Sequence, residues 1–244
     1  MGSSDRPEPA FSQRTLIRIG ISNLPAAEKE HGLMTDKGWP AVFDQPLLTA
    51  LDGSASPDAA LRALSDLIQQ DVCRQRILSC LDGSRGSFAS EGAASSFSRL
   101  IALLGSSPRI ARLIEADPTY LDSVIGTDYD SHSWGKRQRI KAMQAALAKA
   151  EEGFAGGVRA FRHEYWKEVI AIAASDVSDP DPFRIQPTIS SRLSDLVDSA
   201  LQAAVQVSRE AVPRSGEISF AIIGMGKLGA QEINYVSDVD LVYV

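Results

Sequence analysis

Residues Ile218–Val244 read ISFAIIGMGKLGAQEINYVSDVDLVYV, and this stretch decides the fold class. Its pattern predicts a strand from Ile218 to Ile223, a glycine-rich turn, a helix of about two turns and a second strand carrying Asp238 and Asp240. Side chains alternate between the two faces of a strand, so carboxylates two positions apart are expected to project from one face. Paired carboxylates so placed can hold a divalent metal. Val244 falls inside an apolar run with no turn or polar tail after it, so the sequence is expected to be a fragment.

Gly224, Gly226 and Gly229 spell GxGxxG directly after the first strand, the pattern of a dinucleotide-binding turn. Such a unit needs a full helix after the glycines and one acidic residue about twenty positions on, at the end of the second strand. Here the helix is short and two acids stand near the start of that strand, behind Ser237, so the fit is poor. The same parts combine differently around a phosphate. A glycine turn lets backbone N–H groups approach it, Lys227 adds a positive charge, and the aspartates hold magnesium. Phosphoryl and nucleotidyl transfer concentrate negative charge on phosphate oxygens, and two metals about 3.5–4 Å apart stabilise the entering and leaving oxygens. That arrangement usually needs a third carboxylate, which this stretch does not supply.

Upstream the chain is helical by pattern. Leu193, Leu196, Val197, Ala200, Leu201, Ala204 and Val205 form the cleanest stripe, and Val158 to Ala174 forms another with Phe161, Tyr165, Val169 and Ile172 inward. Ser175 to Pro187, with three prolines, reads as a loop. Ile140, Met143 and Leu147 mark a helix after the polar break Thr127 to Gly135, and Gly153, Gly156 and Gly157 interrupt the way to the next. Ser107–Pro108 and Asp117–Pro118 open two short helices. Phe97, Leu100, Ile101 and Leu104 mark another, ended by Gly105. Asp82 to Gly92 is a glycine- and serine-rich linker, and Pro57 to Leu81 reads as a single helix. Leu16 to Pro46 is poorly periodic. The expected organisation is a flexible arm over 1–15, a mainly helical region over 16–213 and, over 214–244, the start of an α/β unit.

With 244 residues, 44% hydrophobic and 23% charged, the chain has a globular composition. Its formal charge of -6 and pI near 5.2 argue against an extended footprint for nucleic acid or an anionic membrane. The polar N-terminus lacks a signal-peptide core and no apolar run has spanning length, so the default compartment is the cytoplasm. Cys73 and Cys80 stand about 10 Å apart along a helix, beyond disulfide reach, and read as small hydrophobes. His31, His132 and His163 share no ligand spacing with each other or with the cysteines.

GMGKLGAQEINYVSDVDLVYV strongly resembles the first nucleotidyltransferase half of the bifunctional glutamine synthetase adenylyltransferase/adenylyl-removing family. That family's pattern is a GKLG-type turn, a Glu-Leu-Asn-Tyr-like helix end and Ser-Asp-hydrophobic-Asp. LIALLGSSPRIARLIEADPTYLDSVIG, VRAFRHEYWKEVIAIAASDV and LSDLVDSALQAAVQVSRE resemble its upstream helices, so the likeness covers about Leu100 to Val244. Asn234 and Tyr235 favour the N-terminal, adenylyl-removing half. Ala230 stands where a glycine is common, Ile233 where leucine is, and Asp130 to Gly135 has no counterpart.

The resemblance implies a mainly α chain followed by the start of a polymerase-beta-like palm, truncated after its second strand. It implies Asp238 and Asp240 as catalytic metal ligands for Mg²⁺, Gly226 and Lys227 as phosphate contacts, and Ser237 as the residue fixing the turn before the strand. The implied activity is removal of AMP from a tyrosine of glutamine synthetase by phosphorolysis yielding ADP, the second half of the full enzyme adding AMP from ATP. Glutamine synthetase and a PII-type signal protein are the implied partners, and a fragment lacking the third carboxylate is expected to be inactive. Two other readings stand beside it: a non-catalytic helical module that docks glutamine synthetase or a signal protein, and an NAD-binding oxidoreductase.

Overall fold

In a computed structural model of the chain, residues 10–86 and 96–244 are described, and they are mainly helical with one two-stranded sheet near the C-terminal end. Residues 1–9 of the expected arm and 87–92 of the expected linker lie outside the described residues. Two compact units meet in sequence at Ile125 and Gly126, a division that falls inside the stretch 16–213.

The first unit holds α1 (Gln13–Arg18), α2 (Leu24–Asp36), α3 (Asp44–Asp52), α4 (Pro57–Gln69), α5 (Asp71–Gly86), α6 (Ser96–Ser106), α7 (Pro108–Ala116) and α8 (Asp122–Ile125). Leu47, Leu51, Leu61, Leu64, Ile68, Ile77, Leu100 and Leu104 are buried at its centre. The poorly periodic stretch is therefore helical, a correction with a simple cause. Pro25 and Pro46 occupy first-turn positions of α2 and α3, where a missing N–H costs nothing. The single helix expected over Pro57 to Leu81 is two, because Gln70 takes an extended conformation (ψ 123°) and Asp71 opens α5. Ser107 caps α7 by accepting from the Ile110 N–H, and Asp117 caps the 3₁₀ turn Pro118–Leu121 through the Thr119 N–H. Gly105 lies inside α6, which runs to Ser106. Cys73 is buried and Cys80 half-buried, both as free thiols, and burial pushes both above the ordinary thiol range.

The second unit opens with a 3₁₀ turn, Thr127–Ser133, followed by α9 (Lys136–Ala148), α10 (Phe154–Ser178) and α11 (Pro182–Ala211). The expected loop over Ser175 to Pro187 shrinks to Asp179–Asp181. Pro182 sits in the first turn of α11, Asp181 accepts from the Arg184 N–H, and Pro187 is carried inside the helix. Gly156 and Gly157 likewise fall inside α10 rather than before it, and a Cβ on Gly157 would stand 2.9 Å from Val207 of α11. Met143, Val169, Ile172, Ile189, Leu193 and Leu196 are buried together, with Phe161, Tyr165 and Trp166 packed against them. The aromatic side of the Arg159–Trp166 stretch is thus part of the core.

Within this core stands a buried ion pair, Arg139 of α9 with Glu168 of α10, both side chains fully enclosed. Desolvation raises the Glu168 carboxyl to about 7, against the pull of the Arg139 guanidinium. The chain ends in β1 (Ile222–Gly224), α12 (Gly226–Gly229) and β2 (Leu241–Tyr243). The strands are antiparallel, with Ile222 opposite Tyr243 and Gly224 opposite Leu241. The first strand is shorter than expected and begins later, and α12 is one turn rather than two. No helix among the described residues is long and apolar enough to cross a membrane.

Candidate functional site

The site is built from the turn between β1 and β2 and is held on α10 and α11. Leu228 and Ile233 are buried in the helical core of the second unit, and Leu241 packs against it. Asp238 and Asp240 lie exposed between Ile233 and Leu241 with half-buried Ser237 ahead of them, and Gly226 and Lys227 lie exposed just before Leu228.

The glycines of the GxGxxG pattern have local reasons. Leu228 folds back over Gly224, where a Cβ would stand 2.7 Å from the Leu228 Cδ2, and a Cβ on Gly229 would stand 2.8 Å from the Gly224 carbonyl oxygen. Gly226 has φ +53°, in the left-handed region. A Cβ there would also stand 3.1 Å from Oδ2 of Asp240, so the carboxylate lies against a residue of the turn that has no side chain. The Met225 N–H donates to the Asp240 carbonyl oxygen at 2.9 Å, which extends the ladder by one pair and fixes this approach. Gly226→Ala is expected to destabilise the second unit by about 1–2 kcal/mol, the cost of a left-handed conformation for an L side chain. Urea denaturation of the variant measures it.

Asp240 therefore stands at the mouth of β2 rather than within it, and Asp238 lies two residues before, outside the strand. Both are exposed, and neither takes part in an ion pair among the described residues. Two uncommitted carboxylates facing solvent suit a hard cation such as Mg²⁺, which takes one or two carboxylates and completes its shell with water and phosphate oxygens. No cluster of three or more metal-capable side chains stands among the described residues. Lys227 is exposed beside Gly226, its carbonyl oxygen accepting from the Glu232 N–H at 2.8 Å.

Ser237 closes the turn that precedes Asp238. Its hydroxyl donates to Oδ1 of Asn234 at 2.9 Å and accepts from the Asn234 N–H at 3.1 Å, while Oδ1 also accepts from the Val236 N–H. This is the mutual bonding by which an Asn and a Ser hold a tight turn without a helix or a ladder. Ala230 has φ -83°, an ordinary value, so alanine is unstrained there, and the left-handed residue after α12 is Gln231, at φ 60°.

Two contacts escaped the sequence reading. The Tyr235 hydroxyl donates to Oδ2 of Asp176 in the last turn of α10 at 3.0 Å. The Ile233 N–H donates to Oγ of Ser194 on α11 at 3.3 Å, and Ser194 in turn donates to the Ser190 carbonyl oxygen. No local signal marks partners 59 and 39 positions apart. A serine inside the clean apolar stripe of α11 was the single hint.

The family model described as glutamate-ammonia ligase adenylyltransferase matches residues 97–244. A bifunctional glutamine synthetase adenylyltransferase/adenylyl-removing enzyme of Bifidobacterium longum subsp. infantis is 35% identical over 242 residues, covering 96% of this chain and 22% of its own length. Proteins of the same name from Cutibacterium acnes and Mycobacterium tuberculosis are each 31% identical over 242 residues, covering 94% and 93% of this chain. The chain spans about a fifth of the length of these relatives, 22–23%.

Proposed function

The chain belongs to the glutamate-ammonia ligase adenylyltransferase family, and from that premise we propose that it forms part of the adenylyl-removing half of such an enzyme. The full protein would remove AMP from a modified tyrosine of glutamine synthetase and, through a second half, add AMP from ATP. The observation that carries the reading is the meeting of the glycine turn with Asp240, whose carboxylate lies against Gly226. It puts a backbone able to approach phosphate beside an uncommitted acid.

In this reading Asp238 and Asp240 hold Mg²⁺, Gly226 and Lys227 face phosphate, and Ser237 keeps the approach to Asp238 fixed. The metal, when bound, neutralises charge on the phosphate oxygens. Lys227 adds a positive charge on the same side, and the absence of a side chain on Gly226 leaves room for the phosphate near the carboxylate. In the transfer itself an oxygen of inorganic phosphate bonds to the phosphorus of the tyrosyl AMP and the bond from that phosphorus to the tyrosine oxygen breaks. ADP departs and the phenol regains a proton. Glutamine synthetase is the proposed substrate protein, a PII-type signal protein a regulatory partner, and the cytoplasm the compartment.

Two carboxylates with no third metal-capable side chain grouped with them among the described residues are enough to bind a metal and too few for a two-metal site. The chain is therefore expected to bind Mg²⁺ and nucleotide but to turn over poorly. The test is ADP release from adenylylated glutamine synthetase in inorganic phosphate. Release well below that of a full-length relative is expected, and release at a comparable rate would overturn the inference. A chain that binds glutamine synthetase but no nucleotide would instead be an interaction module.

A further inference from the structure

The exposed stretch between Ile233 and Asp240 contains no regular helix or strand, yet it carries both aspartates. Something outside it must set where they stand. Its own turn, closed by Asn234 and Ser237, fixes local shape but not its place on the protein.

The Met225 N–H holds the far end of the stretch at the Asp240 carbonyl oxygen, and two further bonds, one from each long helix, hold its near end. Ser194 is fully buried on α11, and its hydroxyl receives the Ile233 N–H while donating back to its own helix. Asp176 stands at the carbonyl end of α10, where an acidic side chain works against the helix dipole, so α10 gives no reason for an acid there. Its carboxylate instead accepts the Tyr235 hydroxyl. Desolvation, and then the Asp176 carboxylate, raise the Tyr235 phenol above its ordinary value, so it remains a donor across the working pH range. Tyr235 stands three residues before Asp238.

We propose that Asp176, acting through the Tyr235 hydroxyl, and Ser194, through the Ile233 N–H, are positioning residues that clamp the aspartate-bearing segment onto α10 and α11. The proposal rests on the reading of Asp238 and Asp240 as metal ligands. Neither clamp residue touches the metal or the phosphate. Each fixes a point upstream of the carboxylates, and loosening either spreads Asp238 over many positions relative to Asp240, whose backbone the Met225 N–H still holds.

The test uses the 244-residue chain with Tyr235→Phe, Asp176→Ala and Asp176→Asn, read by amide hydrogen exchange and by Mn²⁺ binding. Tyr235→Phe keeps the ring and removes only the donor. It and Asp176→Ala are expected to speed exchange at residues 234–240 by about fivefold, with α9 to α11 unchanged, and to weaken Mn²⁺ by about fivefold, the scale of one exposed charge-assisted bond. Asp176→Asn still offers an acceptor oxygen and should stay within about twofold of the unmutated chain. The double variant Tyr235→Phe with Asp176→Ala should be no weaker than either single one, since both remove the same bond. Unchanged exchange in Tyr235→Phe and Asp176→Ala overturns the clamp. Faster exchange with unchanged Mn²⁺ affinity overturns its positioning role and leaves a structural tether. If the unmutated chain binds no Mn²⁺, the metal reading and the positioning role both fall, and the exchange arm reports on the tether separately.

Discussion

Replacing Arg139 with alanine is expected to destabilise the second unit by about 3–5 kcal/mol, the largest effect of any single substitution named for this protein. The cause is not the loss of a favourable contact alone. Arg139 and Glu168 are both fully enclosed, and removing the guanidinium leaves a cavity beside a buried carboxyl that must take up a proton or stand charged with no opposite charge. Against a total stability of roughly 5–15 kcal/mol for a domain, that loss is enough to populate the unfolded unit. Urea denaturation followed by circular dichroism checks it. The pair also gives the protein a pH signature. The Glu168 carboxyl is held at about 7 in the folded chain against an ordinary value of 4.5, chiefly by burial. Its second oxygen, Oε1, makes no hydrogen bond, which favours the protonated form. The folded state thus binds more protons than the unfolded one between these values. The stability Glu168 contributes is full below about 4.5 and is lost as pH rises through about 7. Glu168→Gln should be less stable than the parent yet should lose this slope. A parent whose stability is flat from pH 5 to 7.5 would contradict the assignment.

The second large effect concerns function rather than stability. Asp238→Asn combined with Asp240→Asn is expected to weaken Mn²⁺ binding by more than about 100-fold, because neutral amides replace both carboxylates proposed to hold the ion. The same change should leave stability within about 0.5 kcal/mol, since Asn matches Asp in shape where Asp240 lies against Gly226, both side chains are exposed and neither takes part in an ion pair among the described residues. Electron paramagnetic resonance of free Mn²⁺ reads the first quantity and thermal unfolding the second. The separation matters. A variant that lost metal binding because it unfolded would say nothing about the carboxylates, whereas Arg139→Ala is expected to fail in that way.

How much of this could be read from the residues depends on the range of the interaction. The stripe of α11 is legible at Leu193, Leu196 and Val197 because every turn repeats the same demand to bury apolar surface, while farther on the buried positions are Ala203 and Val207 rather than the expected Ala204 and Val205. The capped start of α7 is legible because Ser107 and Pro108 each solve a local backbone problem. The prolines at 25, 46 and 182 mislead, since a proline in a helix's first turn and a proline in a loop look alike in sequence. Gln70 breaks a helix with no glycine or proline to announce it.

At the site, the glycine turn and the two aspartates are legible as motifs, and the structure adds the contact between Asp240 and Gly226. The reasons for the three glycines emerge only from the structure: Leu228 over Gly224, the Gly224 carbonyl against Gly229, and at Gly226 a φ of +53° beside the Asp240 carboxylate. The GxGxxG pattern is thus accounted for without a dinucleotide. The helix phase of Arg139 and Met143, four apart and both buried, held a signal that sequence reading passed over. A charged residue in register with a buried one calls for a buried partner, here Glu168. The Tyr235–Asp176 bond had no such signal, because it joins two elements whose separation in sequence says nothing about their distance in space.

The measurement that bears most directly on the function is calorimetric titration of ADP into the unmutated chain with and without Mg²⁺. The two aspartates beside the glycine turn predict binding that requires the metal and disappears in the doubly substituted chain. Binding of equal strength in the absence of Mg²⁺, or binding that survives Asp238→Asn with Asp240→Asn, would contradict their role as the metal-holding pair of a nucleotidyl-transfer site.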